Sequence, residues 1–127
     1  MIKIKRVYEK FSKSDGKRFL VERLWPRGFK KEDLKMDVWL KEIAPSAELR
    51  KWFGHVPDRW EEFRKRYKTE LNEKKFLLDV LLKEARSNTV TLLYSARDTE
   101  HNSAIVLKEY LEELLKSTQN DLSIRND

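Results

Sequence analysis

Residues 90–96 read VTLLYSA, and this run constrains the chain more than any other segment. An apolar stretch of that length without polar alternation reads as a strand buried in a sheet. It stops abruptly. Residues 96–102, ARDTEHN, are polar, and AIVLKEYL at 104–111 then resumes a helical pattern. Two explanations stand: the strand ends at a cleft floored by these polar groups, or the segment is an ordinary strand-to-helix turn with a capped helix.

Other elements are arranged around that strand. IKIKRVY (2–8) alternates with period two and predicts a first strand, with Ile2, Ile4 and Arg6 on one face. Ser14-Asp15-Gly16 marks a turn. RFLVERLW (18–25) predicts an interior second strand, with Phe19, Leu20, Val21 and Leu24 apolar on both faces, ended by Pro26 and Gly28. The connection before Gly16 is short for a parallel crossover, which leaves room for an antiparallel pairing of the first two strands. Helical signals follow. DVWLKEIAPS (37–46) fits one or two turns with Trp39 and Ile43 on one side, and Ser46 is placed to cap a helix through Trp52 and Phe53 that Gly54 ends. From Pro57, a helix carries Trp60, Phe63, Tyr67 and Leu71. A fourth helical segment opening at Asn72 has Phe76, Leu77, Val80, Leu81 and Ala85 as its stripe, and the last buries Ala104, Leu107, Leu111, Leu114 and Leu115. The expectation is an α/β fold: a small sheet of about three or four strands partly covered by four to five helices, in a single domain over residues 1–116. Residues 117–127 form a polar tail expected to fray.

Composition excludes several chemistries. The 127 residues include no cysteine, so disulfides, thiol nucleophiles and thiolate zinc sites are ruled out. No apolar stretch reaches membrane-spanning length and the N-terminus does not read as a signal peptide, so the expected setting is cytoplasmic, without a membrane partner. Charged residues make up 39% of the chain, rich in Lys and Glu, which suits a hot environment where ion-pair networks stabilise more. The net charge of +6 is uneven. Residues 1–35 hold twelve Lys and Arg against five Asp and Glu, and the remainder is close to neutral. Such a basic quarter either attracts phosphates, of a nucleic acid or of a small ligand, or is simply a solvated surface.

Two polar clusters are candidate sites, because ligands of open α/β sheets bind beyond the carboxyl ends of the strands. In the first, Asp98 or Thr99 caps the last helix, Arg97 projects from the loop and His101 sits in the first helical turn, three residues before Ala104 and so facing the sheet. There the helix dipole suits a neutral acid, base or donor. His101, Asp98 and Tyr94 are the candidate catalytic residues, with Ser95 and Asn102 in support. The second cluster is ERLWPRG (22–28). Arg23 and Arg27 form a fork for phosphate or carboxylate, joined by Arg97, unless Arg23 is in a structural ion pair with Glu22 or Asp98. Trp25 lies within this suspected site. His55 follows a helix-ending glycine and is either a C-terminal cap or a cleft residue. His55 and His101 form no HxxxH or HxH unit, so no metal is expected. Ser95 lacks a GxSxG elbow, and the three glycines form no phosphate-loop or dinucleotide fingerprint. The stripe of Trp39, Trp52, Trp60, Phe63 and Tyr67 reads as core rather than a platform for stacking bases.

VERLWPRG, WLKEIAPSAELRKWFGHVPDRWEEFRKRYKTEL and VTLLYSARDTEHNSAIVLKEYL together resemble the YeaO-like branch of the DUF488 family, over about Lys3 to Leu115. The resemblance implies a shared α/β domain but no established reaction, and it leaves any cofactor unknown. The family pattern is LVDRLWPRG, and Glu22 stands where aspartate is usual, which argues for a structural or ion-pair role. Other members of the wider group carry a cysteine and a histidine after the last strand. Here that stretch offers Tyr94, Ser95, Asp98, His101 and Asn102, so thiol chemistry does not transfer. A transcription-regulator label attached to some members has no visible basis in this chain. Two functions remain: an enzyme or binding domain for a small anionic molecule, or a nucleic-acid-binding or regulatory module using the basic N-terminal quarter. No helix from residue 46 onward carries a dense basic face, which disfavours the second.

Overall fold

In the computed structural model, which describes residues 1–125 and side chains through Ser117, four strands form one parallel sheet. They are β1 (Ile2–Arg6), β2 (Lys17–Leu20), β3 (Val38–Trp39) and β4 (Val90–Tyr94), in the order β1-β4-β2-β3. All five residues of β4 are buried, as an uninterrupted apolar run requires. Ile2 pairs with Val90 on one side of β4 and Lys17 with Val90 on the other. The antiparallel pairing of the first two strands therefore does not occur: β1 and β2 flank β4 and never meet. Residues 7–16 can return without a helix because side chains tie them to the sheet. Lys3 Nζ donates to the Ser14 carbonyl, Lys5 and Arg18 pair with Asp15, and the Thr91 hydroxyl donates to the Asp15 carbonyl at 2.6 Å.

Four helices accompany the sheet: α1 (Ala47–Phe53), α2 (Trp60–Asn72), α3 (Lys75–Ser87) and α4 (Ser103–Arg125). They pack on the face carrying Ile2, Phe19, Val21, Val90, Leu92 and Tyr94. Ser46 caps α1 by accepting the Leu49 N–H, and Gly54 ends it in the left-handed region. Phe63, Tyr67 and Leu71 of α2 are buried as their spacing predicts, and Tyr67 donates to the Ile43 carbonyl at 2.7 Å. The stripe on α3 keeps Leu81 and Ala85 of the expected set but is rotated at its other positions. Leu78, Leu81, Leu82 and Ala85 are buried, whereas Phe76 is 81% exposed and Val80 37%. Two overlapping stripes exist in that segment, and the one with three leucines faces the core. On α4, Ala104, Val106, Leu107 and Leu111 are buried, with Leu114 and Leu115 packed beside them. An ion-pair network joins α2 to α4: Arg64 with Glu61 and Glu109, and Lys68 with Glu109 and Glu113. The frayed tail expected over 117–127 falls largely outside the described side chains.

The opposite face of the sheet is covered by irregular chain. Val7, Leu20, Leu34 and Leu93 form a second, smaller core with Trp25, Phe29, Met36 and Trp39. β2 is shorter than the expected strand 18–25. After Val21, whose N–H still bonds the Leu93 carbonyl, the Ser95 amide that would extend the ladder is taken by the Glu22 carboxylate, and Leu24 emerges 67% exposed. The helical turns expected at 37–46 are likewise replaced by β3 and a short 3₁₀ turn, Lys41–Ile43. The Asp37 and Leu40 amides bond the Arg18 and Leu20 carbonyls instead, and Pro45 blocks a longer helix.

Candidate functional site

Because all four strands run parallel, their carboxyl ends meet at one end of the sheet, and a cleft of about 710 Å³ opens there. Each strand contributes the chain that leaves it. Arg6 and Tyr8 come from β1, Glu22 to Arg27 from β2, Ala44 and Pro45 from the segment after β3, and Ser95 to Arg97 from β4. Arg50 and Phe53 of α1, Phe63 of α2, His55, and His101 to Ser103 complete the wall.

Glu22 organises the floor. Ser95 donates its N–H to Oε1 and its hydroxyl to Oε2, both at 2.6 Å, so one carboxylate locks the loop after β4 to the loop after β2. The Glu22 carbonyl accepts the Trp39 indole N–H at 2.6 Å. Beside it Arg6 is held by backbone carbonyls: Nε donates to Ala96 at 2.9 Å and Nη2 to Ser95 at 3.4 Å, with the guanidinium 5.0 Å from the Tyr8 ring centroid. Carbonyls fix a guanidinium in place without cancelling its charge.

The remaining arginines are less committed. Arg23 lies 3.8 Å from Glu42 rather than paired with Glu22 or Asp98, because those two carboxylates are engaged with Ser95 and His101. Its Nε is buried with no hydrogen-bond partner among the described residues. Arg27, Arg50 and Arg97 are exposed, and their side chains make no hydrogen bond or ion pair among the described residues. The lining thus holds five arginines and two histidines against one acid, Glu22.

The polar segment after β4 combines both readings of it, since it is a capped turn and also forms the cleft rim. Asp98 Oδ1 accepts the Glu100 and His101 amides at 2.9 and 3.0 Å, and Asp98 Oδ2 meets His101 Nδ1 at 3.0 Å. The Glu100 amide, seconded by His101, holds the Asp98 carboxyl below its ordinary range. The helix cap is Asn102, not Asp98 or Thr99: its Oδ1 accepts the Ile105 N–H at 3.0 Å, while its Nδ2 donates to the Asp98 carbonyl. His101 consequently precedes α4 instead of lying in its first turn. Its ring sets edge-on against Trp60, 5.1 Å between centroids, and faces the cleft rather than the sheet.

Of the residues singled out in the sequence, Arg23, Trp25, Arg27, His55, Ser95, Arg97, His101 and Asn102 line this one cleft. Asp98 stands behind His101. Tyr94 lies in the core, 4% exposed, where burial pushes its phenol up. His55 follows Gly54 in a second left-handed conformation, φ 57°, which for a non-glycine residue costs about 1–2 kcal/mol. Sequence reasoning missed Arg6 and Arg50. Arg6 shares the face of Ile2 and Ile4 at the strand's carboxyl end, and Arg50 follows the Ser46 cap by one helical turn, so both positions carried a signal.

A family model described as "Inactive DUF488-N3 subclade" matches residues 1–125. "Uncharacterized protein YeaO" of Escherichia coli (strain K12) is 50% identical over 118 residues, covering 89% of this chain and 98% of its own. "Uncharacterized protein Rv3073c" of Mycobacterium tuberculosis (strain ATCC 25618 / H37Rv) is 39% identical over 110 residues, 87% of this chain and 92% of its own. No solved structure matches the chain. With the family model spanning nearly every residue and a half-identical relative aligned along most of both chains, this protein belongs to the DUF488 family, among its YeaO-like members.

Proposed function

We propose that this domain binds a small anionic molecule, bearing phosphate or carboxylate groups, in the cleft beyond β2 and β4. One observation carries the reading: five arginines line a single cleft, three of them without any side-chain partner among the described residues, while the one acid in the lining is spent on Ser95. Clustered like charges repel unless an anion joins them, and guanidinium is the group best shaped to hold phosphate or carboxylate. Arg23, Arg27 and Arg97 are the proposed anion ligands, with Arg6 and Arg50 added. His101, whose Nδ1 is fixed by Asp98, presents its other nitrogen as a further contact. Binding without turnover is the form we favour. The Ser95 hydroxyl is committed to Glu22, Tyr94 is buried, and the matching family model is described as inactive.

Trp25 in the cleft supplies the readout. Tryptophan fluorescence titrated with inorganic phosphate should give a saturable response that persists at moderate salt and is lost when Arg23, Arg27 and Arg97 are replaced together by methionine, in a variant whose far-UV spectrum stays unchanged. A response to short DNA or RNA alone, falling steeply with salt as backbone neutralisation requires, would overturn the reading. So would no response at all.

A further inference from the structure

We infer that the ligand carries two anionic groups set apart by an uncharged middle, as in a sugar or nucleoside bisphosphate, and that the cleft binds it at two separate basic stations. This rests on the anion-binding reading above and deepens it. The charges in the cleft are not spread evenly. Arg6 is tied to the Ser95 and Ala96 carbonyls next to Arg97, and the Tyr8 hydroxyl donates to the Arg27 backbone carbonyl, which brings the chain at these three arginines to the β1 and β4 side. At the other side Arg23 lies by Glu42, and Arg50 sits one turn into α1 beyond Pro45.

Glu22 lies between the two groups, on the Ser95 loop at the junction of β2 and β4. A single compact anion placed midway meets its carboxylate, whereas anionic groups on either side meet guanidinium without it. Neighbouring strands are about 5 Å apart, so the chain segments leaving β1 and β2 start roughly 10 Å apart on either side of β4. The cleft lining also offers apolar side chains, Leu24, Phe53 and Phe63, that a spacer can contact.

Calorimetric titration separates this inference from the reading beneath it. The ligands are inorganic phosphate, pyrophosphate, fructose 1,6-bisphosphate and adenosine 3′,5′-bisphosphate. Joining two contacts through one molecule should make at least one of the separated bisphosphates bind about 100-fold more tightly than either phosphate or pyrophosphate. Arg50→Met and Arg97→Met, one from each station and both without side-chain hydrogen bonds or ion pairs among the described residues, should each remove that advantage while changing phosphate affinity less than about threefold, since the other station remains. If pyrophosphate binds as tightly as both bisphosphates, or if either variant weakens phosphate and bisphosphate equally, there is one station: the inference falls and anion binding stands. If none of the four ligands binds, both fall. A preference for one bisphosphate over the other identifies the spacer as sugar or nucleoside.

Discussion

Replacing Glu22 by glutamine should move stability and ligand affinity in opposite directions. The Glu22 carboxylate accepts two short hydrogen bonds from Ser95 and is half-buried, and bonds to an ionised acceptor contribute about 1.5–3 kcal/mol each. Glutamine still accepts the Ser95 N–H through its one oxygen, but its NH₂ faces a hydroxyl that must turn round to accept. The expected loss is therefore about 1–2 kcal/mol, or roughly 4–8 °C in Tm for a chain of this size. Affinity responds to the lost charge. At about 8 Å and an effective dielectric of about 40, one unit charge interacts with another at about 1 kcal/mol, so Glu22→Gln should tighten binding of each unit of anionic charge by about fivefold. The assay is thermal unfolding paired with calorimetric phosphate titration of the same preparation. An unchanged Tm would show that the Ser95 lock is not holding the loop, and an unchanged or weakened affinity would place the anion outside this cleft.

Gly16 has φ 65°, and a Cβ there would lie 2.1 Å from the Thr89 carbonyl oxygen. Gly16→Ala should cost about 3 kcal/mol or more in urea unfolding, strain and overlap together, and a loss under about 1 kcal/mol would contradict the close approach of β2 to residue 89. Leu78→Ala should cost about 2–5 kcal/mol and Phe76→Ser less than about 0.5; the reverse order would restore the stripe that periodicity alone suggested. Burial works against ionised Asp15, but the Ser12 amide, Lys5 and Arg18 outweigh it and hold the carboxyl below its ordinary range. Its contribution is complete above the unfolded carboxylate pKa of about 3.9 and is lost as pH falls through the lower folded value, so acid titration of Asp15→Asn should lose part of that slope. If the α2–α4 ion-pair network reflects life at high temperature, calorimetry should give a Tm above the mesophilic cluster of about 45–65 °C; a value inside it removes that proposal.

The positions where sequence reading succeeded share a local cause. Ser46 and Gly54 bracket α1 through contacts made within a few residues, and the α2 stripe has only one apolar face to offer. The failures depend on partners far along the chain. Nothing near Glu22 announces that its carboxylate will take the Ser95 amide 73 residues away and end β2 early. Val38 and Trp39 read as helical until the amides flanking them find the Arg18 and Leu20 carbonyls. On α3, propensity permits either of two apolar stripes that share Leu81 and Ala85, and only packing against the sheet selects Leu78 and Leu82 over Phe76 and Val80. The cleft was legible for a different reason. A parallel strand has to end somewhere polar, so abrupt polarity after an apolar run points to the strand's carboxyl end. Arg23, Arg97 and His101 were found by that rule, whereas Arg50, on a helix, lay beyond it.

The basic N-terminal quarter shows how the fold divides what a sequence window adds together. Of its twelve cationic residues, Lys3, Lys5, Lys17 and Arg18 turn to the protein itself, contacting Ser14, Asp15, Glu84 and Asp15. Arg6, Arg23 and Arg27 line the cleft. That leaves Lys10, Lys13, Lys30, Lys31 and Lys35 exposed, and they share their segments with exposed Glu9, Glu32 and Asp33. Nucleic acid bound to this surface would therefore neutralise few phosphates. Even with all five lysines engaged, the salt dependence would reach a slope of only about −4 to −5 in log K against log salt, and the interleaved acids reduce it further. The cleft concentrates the same number of guanidinium groups around a single acid, and that acid is already bonded to Ser95. Charge density, rather than total charge, separates the two readings, and it favours a small ligand.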